Sequence, residues 1–309
     1  MTSGVIGLGG SSSQEQGAAM ANAETAVDTA VVGGVKDQKS PLASIPTTQL
    51  FSLANQGVIV TGGARGLGLC IATSLLEASA AHVICVDILP NPKEDEWEVA
   101  QQTASRFGGK IEYRQLDITN EEAVSEAFSD IYASSQYPIT GFFGAAGIQQ
   151  MIPALDMPIK DFRRVIEVNS TGSFITIQAA AREMKERGIR GSIVLTASMS
   201  GTVANKGLTC LAYNSSKAAL LGMCRCAASE WGQYGIRVNT LSPGYIRTAL
   251  TDQLLAEKQE MEAEWVSGSM LQRLSTPDEF RGPVLFLLSK ASSFMTGADL
   301  LVDGGHTAW

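Results

Sequence analysis

The amino-acid sequence predicts a doubly wound, Rossmann-type α/β fold: one parallel sheet of about seven strands with helices on both faces. Two observations predict it. From residue 57 onward, short apolar runs alternate with longer segments of helical period, and strands that alternate with helices pair in parallel because each helix returns the chain to the same end of the sheet. The first apolar run, Val58-Ile59-Val60, passes directly into Thr61-Gly62-Gly63-Ala64-Arg65-Gly66-Leu67-Gly68 and then into a helix. Glycine at such a junction permits a tight reversal and close approach of the backbone to a ligand.

The elements follow in order. Residues 1–45 are rich in Gly, Ala and Ser with no sustained period, so they read as a flexible tail ahead of one large domain at 46–309. The run Gly4-Val5-Ile6-Gly7-Leu8-Gly9-Gly10 imitates a phosphate loop, but neither a strand nor an amphipathic helix flanks it. Further strands are expected at 82–86, 112–116, 141–145, 192–196, 237–241 and 299–302, with helices at 66–79, 121–134, 160–187, 214–234 and 278–289. A cover over the sheet is expected at about 249–274; its apolar Leu250, Leu254, Leu255, Trp265 and Met270 either line a lipophilic pocket or pack the cover down. Right-handed crossovers put ligands beyond the carboxyl ends of the strands, so chemistry belongs just after each strand.

Composition narrows the classes. Apolar residues at 45% and charged residues at 17% suit a soluble globular chain. A net charge of -8 without a basic stripe argues against nucleic-acid and anionic-membrane partners. No apolar run reaches spanning length and the N-terminus lacks the basic start of a signal peptide, so the cytoplasm is the expected compartment. Five scattered cysteines without a CxxC pair suit free thiols, and two isolated histidines, His82 and His306, make a metal site an unexpected feature.

The glycines at 62, 66 and 68, set between strand and helix, fit a dinucleotide pyrophosphate resting on helix N–H groups. Asp87 ends the second strand, where a carboxylate accepts ribose hydroxyls and repels a 2'-phosphate; this favours NAD(H), while Arg65 in the loop keeps NADP(H) open. Asp87 alternatively caps its own turn. Asp117 either reaches the adenine amino group or caps the helix at Glu121. Tyr213 and Lys217 share a helix face at i, i+4, and a fixed cation beside a phenol lowers its pKa toward useful acid-base chemistry. Ser198 leaves the fifth strand at the ligand-bearing edge. Asn169 sits on an apolar helical stripe with Phe162, Val165 and Ile166, where a buried amide requires partners and serves either structure or catalysis.

Together these motifs closely resemble the short-chain dehydrogenase/reductase family over about residues 52–305: TGxxxGxG at 61–68, Asp-x-Thr at 117–119, Asn169, Ser198, YxxxK at 213–217 and PGxxxT at 243–248. The resemblance implies an NAD(P)(H)-dependent oxidoreductase acting on a small carbonyl or alcohol. In it Tyr213 is the acid-base group, Lys217 tunes it and binds the nicotinamide ribose, Ser198 polarises the substrate oxygen, and Asn169 holds a water linking Lys217 to solvent. It further implies cofactor contacts at Ile118, Ala146, Gly147, Pro243, Gly244, Ile246 and Thr248, and a homotetramer or homodimer. The chain is most similar to fungal polyol and sugar reductases. Two departures stand out: Gly144-Ala145-Ala146-Gly147 replaces the usual NNAG, and a longer Ser-to-Tyr spacing leaves Ser200 as a rival to Ser198. The competing classes are a non-catalytic scaffold that binds dinucleotide without turnover, and an isomerase or dehydratase that shows no net cofactor change.

Overall fold

The computed structural model describes residues 44–248, 251, 255 and 259–309. The tail expected at 1–45, apart from its last two residues, and Leu250 and Leu254 of the expected cover lie outside them. Pro46–Trp309 form a compact unit.

Seven parallel strands lie in the order β3-β2-β1-β4-β5-β6-β7. They are β1 (Gly57–Thr61), β2 (His82–Asp87), β3 (Lys110–Gln115), β4 (Ile139–Gly144), β5 (Ser192–Thr196), β6 (Arg237–Pro243) and β7 (Asp299–Val302). Strand order reverses between β1 and β4, which opens a crevice beyond their carboxyl ends. The pleat sorts alternate residues onto two cores. Ile59, Phe142 and Ile193 face α3 (Glu121–Ser134), α5 (Ser173–Glu186) and α6 (Leu211–Trp231). Val58, Val60, Phe143 and Val194 face α1 (Gly66–Glu77), α2 (Glu94–Phe107) and α8 (Arg281–Leu288). Burial on both faces explains why these strands read as continuous apolar runs.

Three differences from the sequence reading have physical causes. Helix α2 was not expected, because only Ala100 and Ala104 of it are buried and its apolar stripe is thin. The helix expected at 160–187 is broken: α4 (Ile159–Ile166) and α5 flank a π-helical turn at Glu167–Gly172. A side chain that must be re-aimed from mid-helix commonly needs that extra residue. Asn120, whose carboxamide accepts Ala123 N–H at 3.0 Å, caps α3, so Asp117 does not. Of the cover, α7 (Gln259–Gly268) buries Trp265, Leu255 is also buried, and Met270 is exposed. No helix among the described residues is long and apolar enough to cross a membrane.

Candidate active site

The turn after β1 works because side chains are missing from it. Gly62 and Gly66 have φ of 68° and 59°, the left-handed region that favours glycine. A Cβ on Gly68 would lie 2.1 Å from Gly62 O, and one on Gly62 would lie 2.7 Å from Ala146 N. The turn therefore packs directly against the segment after β4. It opens on a cavity of about 1190 Å³ whose walls include Arg65, Leu67, Asp87, Asp117, Ile118, Ala146, Gly147 and Thr248. These residues fit a dinucleotide: a bare backbone floor at a helix start, and carboxylates at the ends of neighbouring strands.

Asp87 does two things at once. Its Oδ2 accepts Ala64 N–H at 3.2 Å and its Oδ1 accepts Leu89 N–H at 3.1 Å, so it caps its own turn while facing the cavity. Asp117 Oδ1 is engaged locally by Thr119, from N–H at 2.9 Å and from Oγ1 at 2.7 Å. Ile88, Leu89, Ile148, Glu96, Arg164 and Arg247 also line the cavity and were not foreseen. Pro243, Gly244 and Ile246 do not line it. Gly244 instead passes so close to Asp303 that a Cβ would lie 2.7 Å from its Cα, and Ile246 bridges to Ser275. Glycine at 244 thus serves packing of β6 against the segment after β7.

Beyond Gly147 the construction changes. A Cβ there would lie 3.2 Å from Asn169 Oδ1 and 3.7 Å from Lys217 Nζ, so the cavity wall abuts the polar cluster. Asn169 is fully buried on the π-helical turn; its Oδ1 accepts Ile148 N–H at 2.8 Å, and its Nδ2 donates to Ile148 O and to Ser216 Oγ, each at 2.9 Å. This amide ties the β4 loop to the first turns of α6. Lys217 Nζ donates to Thr196 O at 2.6 Å and stands 5.6 Å from the Tyr213 ring centroid. Ser198 leaves β5 in extended backbone, with its hydroxyl near enough to the Tyr213 phenol to favour the phenolate. Ser198 Oγ also accepts Ser200 N–H at 3.1 Å, so Ser200 supports Ser198 rather than replacing it.

The electrostatics differ from the expectation that Lys217 lowers the phenol's pKa. Burial, which disfavours the phenolate, pushes Tyr213 up, and the Ser198 hydrogen bond offsets only part of this. Burial likewise pushes Lys217 down to about 8. Both groups have lost water, and that loss is the largest cause of each shift. The phenol is consequently held protonated, the form that can donate a proton to a carbonyl oxygen.

A parallel sheet with a glycine turn at its switch point and a Ser-Tyr-Lys cluster beside it defines a dinucleotide-dependent oxidoreductase acting on CH–OH or C=O groups. A family model described as enoyl-(acyl carrier protein) reductase matches residues 62–307. The chain is 47% identical over 270 residues to a short chain dehydrogenases/reductase, notP', of Aspergillus versicolor, covering 86% of this chain and 92% of that one. It is 37% identical to the ribulose-forming D-arabinitol 2-dehydrogenase of Candida tropicalis, covering 84% and 95%. The crystal structure of a gluconate 5-dehydrogenase from Burkholderia cenocepacia in complex with NADP and tartrate superposes with a TM-score of 0.75 at 30% identity, covering 85% of this chain and all of that one. This chain belongs to the short-chain dehydrogenase/reductase family.

Proposed function

We propose that the protein interconverts a secondary alcohol and a ketone on a polyol, ketose or related ketone-bearing metabolite, with NAD(H) as the preferred cofactor. The observation that carries this reading is the grouping of Ser198, Tyr213 and Lys217, with the Lys217 Nζ 5.6 Å from the Tyr213 ring centroid, next to a glycine turn at the strand-order switch. Relatives named as D-arabinitol and galactitol 2-dehydrogenases support the substrate class. One named as an NADH-dependent L-xylulose reductase supports the cofactor preference, as does the position of Asp87.

When bound, the nicotinamide cofactor supplies or takes up the hydride. In the reducing direction Tyr213 Oη gives its proton to the substrate oxygen as negative charge develops there, and Ser198 Oγ–H donates a hydrogen bond to the same oxygen. In the oxidising direction Tyr213 takes the proton. Lys217 stabilises the phenolate left after transfer and binds the nicotinamide ribose. Asn169 holds Ile148 and Ser216 in place on either side of it, and a water on the remaining carboxamide lone pair completes a path to solvent. On family resemblance, and on five free thiols, we place the enzyme in the cytoplasm as a homotetramer or homodimer.

The test is a panel of polyols, ketoses and simple ketones followed at the nicotinamide absorbance with both cofactors. Turnover of at least one secondary alcohol or ketone, faster with NAD(H), is expected. Dinucleotide binding without consumption across the panel would return the chain to the scaffold class.

A further inference from the structure

We infer that Glu96, in the first turn of α2, is a second determinant of dinucleotide choice, acting with Asp87 to keep a 2'-phosphate away from the glycine turn. The inference deepens the NAD(H) reading and rests on it.

Arg65 is the only cation between Thr61 and Gly68. On one side of it the Ala64 N–H is accepted by Asp87 Oδ2 at 3.2 Å; on the other the Gly66 N–H is accepted by Glu96 Oε2 at 3.1 Å. The carboxylates therefore flank the one side chain that could pair with a 2'-phosphate, and they engage two backbone donors an anion would use. All three residues line the same cavity. A nearly dianionic phosphate entering there meets two fixed negative charges instead of one.

Glu96 is held in this place. Lys93 Nζ stands 2.8 Å from its Oε1, and the Lys93 N–H donates to Ala64 O at 2.8 Å, so the start of α2 is fastened to the turn by backbone and by side chain. That pairing has a second effect. A lysine ammonium can pair with a phosphate, and Glu96 and Asp95 together occupy this one. Removing the Glu96 charge takes away a repulsion and leaves Lys93 paired with Asp95 alone, at 3.3 Å. The Glu96 side chain keeps 36% of its exposure, so water and salt screen its field. Its effect should be smaller than that of Asp87, about fivefold on affinity for a 2'-phosphate.

Binding of adenosine 5'-monophosphate and adenosine 2',5'-bisphosphate to the full chain, measured by calorimetry, isolates the 2'-phosphate from catalysis. Glu96→Gln retains an oxygen for the Gly66 N–H and loses only the charge. It should bind the bisphosphate about fivefold more tightly with the monophosphate nearly unchanged, and the gain should fade in roughly 0.5 M salt. Asp87→Asn should give a larger shift in the same direction. A bisphosphate-to-monophosphate ratio that stays at its original value in Glu96→Gln, while Asp87→Asn raises it, overturns the role of Glu96 alone. Equal weakening of both nucleotides in Glu96→Gln also overturns it, since Glu96 would then only brace the turn. An unmodified protein that prefers the bisphosphate overturns the NAD(H) reading together with the inference built on it.

Discussion

At the Thr61–Gly68 turn the cavity wall is largely backbone, because Gly62, Gly66 and Gly68 carry no side chains, and the first N–H of α1, that of Gly66, is held by Glu96. At Ser198, Tyr213 and Lys217 the site is side chain, each group buried or nearly so and held by a polar partner. The first region is vulnerable to an atom added at Gly62 or Gly68, where a Cβ would meet backbone. The second depends on which proton each group holds. One half of the cleft therefore fails through geometry and the other through chemistry, and substitutions should separate the two.

The largest separation is expected at Tyr213. Tyr213→Phe keeps the ring and its packing and removes the transferable proton, so turnover should fall by at least about 100-fold while dinucleotide affinity, read by fluorescence titration, stays close to that of the unmodified protein. A near-normal kcat would end the proposed mechanism without touching the fold. Gly68→Ala should do the reverse. Its Cβ would lie 2.1 Å from Gly62 O, so the turn must shift, and dinucleotide affinity should drop by about tenfold or more with the circular-dichroism spectrum preserved. Unchanged affinity would mean the turn is not the pyrophosphate floor.

Lys217 offers an effect on stability rather than on turnover, with a sign opposite to intuition. Its folded-state pKa, about 8, lies below the 10.5 of a solvated lysine, because burial disfavours the ammonium. Between those values the unfolded chain binds more protons, so this group's destabilising contribution is full below about pH 8 and disappears as pH rises toward 10.5. Lys217→Met should thus raise stability at pH 7 by up to about 3 kcal/mol, less the loss of the hydrogen bond to Thr196, with the gain vanishing near pH 10.5. Urea midpoints at the two pH values check it. A destabilised variant at pH 7 would show that the ammonium is better solvated than its burial indicates.

How much of this could be read from the chain depended on distance along it. The glycine turn and the Tyr213–Lys217 pair were legible because each is a local spacing on one element. The partners of Asn169 were not, since Ile148 and Ser216 come from other elements, and the π-helical turn that aims the amide leaves the apolar stripe uninterrupted. Glu96 was missed with its helix. Signals for α2 existed nonetheless: Glu94, Asp95 and Glu96 in its first turn, Arg106 in its last, and a left-handed Gly108 after it. The rivalry between Ser198 and Ser200 turns on which hydroxyl lies nearer the phenol, and no spacing along the chain shows that. The expected depression of the Tyr213 pKa failed because a spacing rule counts charges and cannot count lost water.

The Asn169 carboxamide has a consequence for the order of events in turnover. One of its bonded neighbours, Ile148, lies in the cavity wall, and the other, Ser216, lies between Tyr213 and Lys217 on α6. Any displacement of the β4 loop would be passed through one rigid planar group to the turn of α6 that carries Tyr213 and Lys217. A dinucleotide that bound there would thus set the proton-transfer geometry as it arrived, and the expected kinetics are of compulsory order, dinucleotide first on and last off; product inhibition showing random order would separate the two events.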